Sequence, residues 1–116
     1  GYASRELAHE DGAIVRWIRA AHPHTTYTTS VCTGALLLAA AGVLEGLRAT
    51  THWNYTDLLG PYGVTPVPER VVREGKVITA AGVSAGIDMA LHIVRRLHGE
   101  EVARATARDM EYDWRG

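Results

Sequence analysis

The sequence predicts an α/β fold with a mainly parallel sheet, and two strand-to-helix switches carry that expectation. In the first, Thr25 to Val31 reads T-T-Y-T-T-S-V, and such β-branched and aromatic side chains suit a pleated strand. Directly after Cys32 the composition turns to Ala and Leu, which are strong helix formers. In the second, the extended stretch Val77 to Ala80 runs through Gly82 into Ile87, Ala90, Leu91, Val94 and Leu97, which recur at helical spacing. Both switches are corners built from small residues.

The elements follow in chain order. Gly1 to Ser4 reads as a loop. Glu6 to Ala21 is expected to be a helix with Leu7, Ile14, Trp17, Ile18 and Ala21 on its apolar face and Gly12 weakening its middle. Its acids lie early and its arginines late, as the helix dipole favours, and His22-Pro23 ends it. The strand Thr25 to Val31 carries more hydroxyls than a buried parallel strand usually does, so one face is expected to be polar or to approach a pocket. Thr33 to Ala41 forms the next helix, with Gly42 at its C-terminal end. After a turn at Gly46, Arg48 to Thr51 reads as a short strand ending at His52-Trp53. Residues 54 to 60 form a short helix or turn stopped by Gly60-Pro61. Val64 to Val67 and Arg70 to Val72 are extended but proline-flanked, which suits a sheet edge. R-E-G-K at 73–76 makes a hairpin turn back into Val77 to Ala80. Ser84 is the expected N-cap of the long helix, on which Asp88 and His92 pair at i, i+4. Gly99 stops it, and Glu100 to Met110 forms a last helix with Val102 and Ala105 facing inward.

Composition narrows the function classes. A chain of 116 residues makes one domain with a modest core, and 47% hydrophobic with 22% charged residues is ordinary for a soluble protein. A formal net charge of −1 leaves no basic footprint for nucleic acid. No apolar run approaches the ~20 residues of a membrane-crossing helix, and no secretory leader is evident. The single cysteine excludes an intrachain disulfide and fits a reducing cytoplasm, where the sequon Asn54-Tyr55-Thr56 would stay idle.

Chemistry is expected at Cys32. A thiol at a strand-to-helix corner meets unpaired N–H groups and the positive end of a helix dipole, which favour the nucleophilic thiolate. The competing reading is a small buried hydrophobe. Thr33 offers a backbone N–H for charge developing on a substrate, or a helix cap, and Gly34 loosens the turn. His52 ends the next strand and so faces the same end of a parallel sheet, as a base for the thiol or as a cap of the following turn. Trp53 walls a pocket or packs in the core. Gly82, Ser84 and Gly86 form a small-residue corner without phosphate-loop spacing. His22 and His24 lack a third metal ligand.

The blocks V-C-T-G-A-L-L-L-A-A-A-G (Val31 to Gly42), A-T-T-H-W (Ala49 to Trp53), E-R-V-V-R-E-G (Glu69 to Gly75), G-V-S-A-G-I-D (Gly82 to Asp88) and E-Y-D (Glu111 to Asp113) resemble, in order, the ThiJ/PfpI family of the class I glutamine amidotransferase-like superfamily. The likeness is nearest to its isonitrile hydratases. It implies a flavodoxin-like three-layer α/β/α sandwich in which Cys32 sits on a nucleophile elbow. It further implies that the pair Cys32 and Thr33 hydrates isonitriles to N-substituted formamides, with His52, Trp53, Gly34 and Gly82 around the pocket. No metal or organic cofactor is implied. In the family register Gly1 is the second of a glycine pair and a possible backbone donor. The opening strand-helix units, with an acidic partner for the cysteine, are then expected to lie outside this chain. Two other readings stay open: a superfamily enzyme acting on reactive carbonyls or amides, and a noncatalytic ligand-sensing module of the kind joined to helix-turn-helix regulators. A small-molecule substrate and a homodimer are the expected partners, with neither nucleic acid nor membrane.

Overall fold

The computed structural model describes Ala8 and residues 12–116. Its elements are α1 (Ala13–Ala21), β1 (Thr28–Val31), α2 (Ala35–Ala40), β2 (Arg48–Ala49), β3 (Thr65–Pro66), β4 (Val71–Glu74), β5 (Val77–Ala80), α3 (Val83–His98) and α4 (Glu100–Asp109), with 3₁₀ turns at His22–His24, Cys32–Gly34, Trp53–Leu58 and Gly60–Tyr62. One sheet has the order β1-β5-β4, and β2 pairs with β3 in a second. The β1–β5 and β2–β3 pairs are parallel, and the β4–β5 hairpin is antiparallel. Gly75, at φ +63, supplies the left-handed turn of that hairpin. The ion pair of Arg48 and Glu74, 3.1 Å, ties the two sheets at β2 and β4.

Strand β5 explains the layering. All four of its residues are buried, and successive side chains of a strand point to opposite faces. Val77 joins a core with Leu36, Leu38, Leu44 and Leu59 on the α2 side. Ile78 and Ala80 join Ala85 and Met89 of α3 on the other. A sheet with helices on both faces results, the α/β/α sandwich the sequence predicts. Fully burying a side chain such as Ile78 contributes about 1.5–3 kcal/mol, so this central strand anchors both layers. A third core, Leu91, Ala103, Ala107 and Trp114, fixes α4 on α3.

Several local expectations are corrected. Gly12 is the N-cap of α1 rather than its weak middle, and, Ala8 aside, the proposed first turns of that helix, Glu6 to Asp11, lie outside the described residues. The face of α1 that packs carries Val15, against Ala40 and Ala41, while Ile14 and Trp17 are exposed. Strand β1 begins at Thr28, because the Thr25 hydroxyl donates to the His22 carbonyl oxygen in a local turn. Gly82, not Ser84, caps α3. Asp88 pairs with Arg70 (2.8 Å) and accepts from the Tyr112 hydroxyl (2.7 Å), so it is not His92's partner. The His92 Nδ1 instead accepts from Arg95 at 3.3 Å. In α4 the buried residues are Ala103 and Ala107, and Val102 is exposed, because α4 rolls its alanines onto α3 for close approach.

Candidate active site

Parallel pairing of β1 with β5 puts Val31 opposite Ala80, so the two strands end together and each runs into a helix at the same edge of the sheet. In open α/β sheets this carboxyl edge is where ligands bind. Cys32 occupies the first of these corners with φ +58, in the left-handed region that a residue with a Cβ rarely adopts. Holding it there costs roughly 1–2 kcal/mol, and the surrounding structure must supply that. The thiol residue is partly exposed, whereas Thr33 beside it is 3% exposed. Gly34 has an ordinary helical backbone, and a Cβ there would touch Ser30 only at 3.7 Å. The glycine is therefore not required by space on that side.

What holds the elbow comes from the segment after β2. The Thr51 hydroxyl donates to the Cys32 carbonyl oxygen at 2.7 Å, and the preceding Thr50 N–H donates to the Thr79 hydroxyl on β5 at 2.9 Å. All three threonines are buried. The chain then turns at His52, whose Nδ1 accepts the Asn54 N–H at 3.1 Å and caps the Trp53–Leu58 turn. Accepting an N–H requires a lone pair on Nδ1, so the neutral ring carries its proton on Nε2. In this arrangement His52 can offer a donor from Nε2; acting as a base would need the other tautomer and the loss of its cap. Its ring lies 5.5 Å from those of both Trp53 and Tyr55. Trp53 is 78% exposed, which corrects the expectation that it packs in a core.

At the second corner Gly82 has an extended backbone, and nothing lies within 4 Å of a Cβ built on it. The crowded glycine is Gly86, one turn on, where a Cβ would meet Val31 Cγ1 at 3.0 Å and Cγ2 at 3.1 Å. That contact lets α3 close onto the residue preceding Cys32. Gly1 lies outside the described residues, and so do Glu6, Glu10 and Asp11. Among the described residues no group of three or more His, Cys, Asp or Glu is placed to hold a metal ion.

The sequence profile of the DJ-1/PfpI family matches residues 1–96. The chain belongs to the DJ-1/PfpI family. Isonitrile hydratase of Pseudomonas putida is 48% identical over 103 residues, which are 89% of this chain and 45% of that protein. The HTH-type transcriptional regulator CdhR of Pseudomonas aeruginosa is 34% identical over 93 residues, 78% of this chain and 28% of the regulator. A THiJ/PfpI family protein from Pseudomonas syringae, known by its crystal structure, superimposes with a TM-score of 0.86 at 40% identity, over 92% of this chain and 45% of that one. This DJ-1/PfpI chain thus spans less than half the length of these relatives.

Two polar arrangements of the structure escaped sequence reasoning. Thr51 stands within A-T-T-H-W, yet nothing in the letters tells which of two adjacent threonines reaches the elbow. The Arg70–Asp88–Tyr112 group joins residues 18 and 24 positions apart, beyond any local pattern. Partial burial works to raise the Asp88 pKa, but the Tyr112 hydroxyl and the Arg70 guanidinium outweigh it and hold the carboxyl below its ordinary value.

Proposed function

We propose that this chain carries the cysteine half of an isonitrile hydratase-like active site. The observation that carries the reading is the left-handed Cys32 at the carboxyl edge of the sheet, in a chain 48% identical to an isonitrile hydratase over 89% of its length. The Cys32 thiolate attacks the terminal carbon of R–N≡C, and the negative charge left on that same carbon is quenched by a proton to give the thioimidate R–N=CH–S–Cys32. Water then adds to that carbon, one of its protons passes to the nitrogen and the other is released, and the C–S bond breaks, returning the thiolate and releasing R–NH–CHO. The net addition is one water. The Thr33 N–H stabilises charge developing on the substrate, and the His52 Nε2–H is a second donor to it, from a side chain. Gly34, Gly82 and Trp53 border the pocket, Gly1 is a second backbone donor, and an acidic group of the family's opening strand-helix units completes the proton transfers. The protein works in the cytoplasm, where a reactive thiol stays reduced, and assembles as a homodimer.

A second reading, a ligand-sensing module without turnover, is favoured by the likeness to CdhR. The two separate on one experiment. An alkyl isonitrile is incubated with the full chain and formamide is followed by proton NMR, with Cys32→Ser alongside. Turnover that Cys32→Ser abolishes while folding normally is the expected result. Saturable binding without formamide, equal in both proteins, would replace hydration with sensing. Turnover of an amide or a reactive aldehyde in place of the isonitrile would keep Cys32 and change the substrate class.

A further inference from the structure

We infer that Thr51 is a positioning residue for the elbow, one whose hydroxyl aims the Thr33 N–H at the reacting centre. The inference rests on the reading of Cys32 as nucleophile and deepens it. The Thr51 hydroxyl is bonded not to a side chain but to the carbonyl oxygen of Cys32, at 2.7 Å. That carbonyl and the Thr33 N–H belong to one peptide unit. The unit is planar and trans, so the two groups point in opposite directions, and anchoring the oxygen fixes the line of the N–H. In strand-to-helix elbows the N–H of the residue after the nucleophile is the one that meets developing charge.

The anchor is needed here more than elsewhere. Cys32 sits at φ +58, and a peptide flanking a strained residue relaxes by swinging about its two neighbouring torsions. A free carbonyl would permit that swing; one held by a buried hydroxyl does not. Thr51 is itself immobilised. It is 1% exposed, its β-branched side chain has few rotamers, and the residue before it is pinned by the Thr50 N–H to Thr79 on the central strand. The same bond polarises the peptide, which makes its N–H a stronger donor.

The test compares iodoacetamide alkylation of Cys32 across pH, read on its own peptide by mass spectrometry, in the full chain. Thr51→Val removes the hydroxyl at nearly constant shape. It is expected to move the midpoint of the profile up by about one pH unit and to slow reaction at pH 7 about tenfold, as the thiolate loses an aligned donor. Thr51→Ser keeps the hydroxyl and should restore most of the rate. Thr28→Val removes another buried hydroxyl, one bonded to His22 and Thr25 at the opposite end of β1, so it should lower the melting temperature and leave the profile in place. Thr51→Ala carries the same expectation if Thr51→Val does not fold. Equal profiles for the parent and a folded Thr51→Val or Thr51→Ala would overturn the positioning role while leaving the nucleophile intact. A shift of the same size in Thr28→Val would also overturn it, because general loosening would then suffice. A parent thiol no faster than glutathione would remove the nucleophile reading itself, and that outcome is seen before any variant is made.

Discussion

Cys32 and His92 show two ways in which single residues here carry unfavourable states. Cys32 holds a strained backbone at the site. His92 carries a buried ring nitrogen: its Nε2 has no hydrogen-bond partner among the described residues. Burial, then the charges of Arg95, Arg96 and Arg73, lower its pKa below the ordinary histidine value. The sign follows from linkage. As pH falls below about 6.5 the unfolded chain binds a proton at this position before the folded one does, so folding stability falls with pH until the lower folded value is reached. Urea unfolding between pH 5 and 8 should show that slope, and His92→Gln should flatten it. It will not abolish it, because His22 is shifted the same way by burial and by Lys76. Equal slopes in parent and variant would mean that His92 titrates alike in both states.

At the scale of elements, the site depends on how closely α3 approaches β1. Gly86 sits inside α3, where alanine would gain about 1 kcal/mol of helix propensity. The added methyl would press on both methyls of Val31 at 3.0–3.1 Å. Val31 is stiff at χ1 and precedes the strained elbow, so relief must come from the backbone, and overpacking of this kind costs about 1–3 kcal/mol. Gly86→Ala is expected to be destabilising by about 1 kcal/mol net, the overpacking cost exceeding the propensity gain. Adding Val31→Ala should then recover stability relative to Val31→Ala alone, as a double-mutant cycle would measure. Additive effects would show that the two residues do not meet.

For the whole molecule the open side of β1 decides behaviour. Its outer edge has no strand partner among the described residues, and its Thr29 and Val31 side chains are exposed. Apolar surface continues on both sides: Trp17 of α1 is 70% exposed, and Val83 and Met110 are 78% and 51% exposed. A free strand edge beside apolar surface invites association. Sedimentation velocity on the isolated 116-residue chain should show concentration-dependent association, accompanied by a broad thermal transition. A compact monomer with one sharp melt would show that this edge is covered by the chain itself.

The sequence alone determined the elements that rest on local rules. Strand β5, the hairpin turn at Gly75, the helix after Cys32 and the left-handed Gly42 were legible because β-branching, turn chemistry and helix propensity act within a few residues. The family and the elbow were legible from ordered blocks. Tertiary structure decided which faces pack: Trp17 and Trp53 stay exposed and Val15 is buried, because helix rotation is set by neighbours rather than by periodicity. It also decided which polar groups meet. Asp88 found Arg70 and Tyr112, His52 took the cap, and Thr51 rather than Thr50 reached Cys32. A hydroxyl's partner depends on where distant segments of backbone come to rest, and no local pattern of residues encodes that.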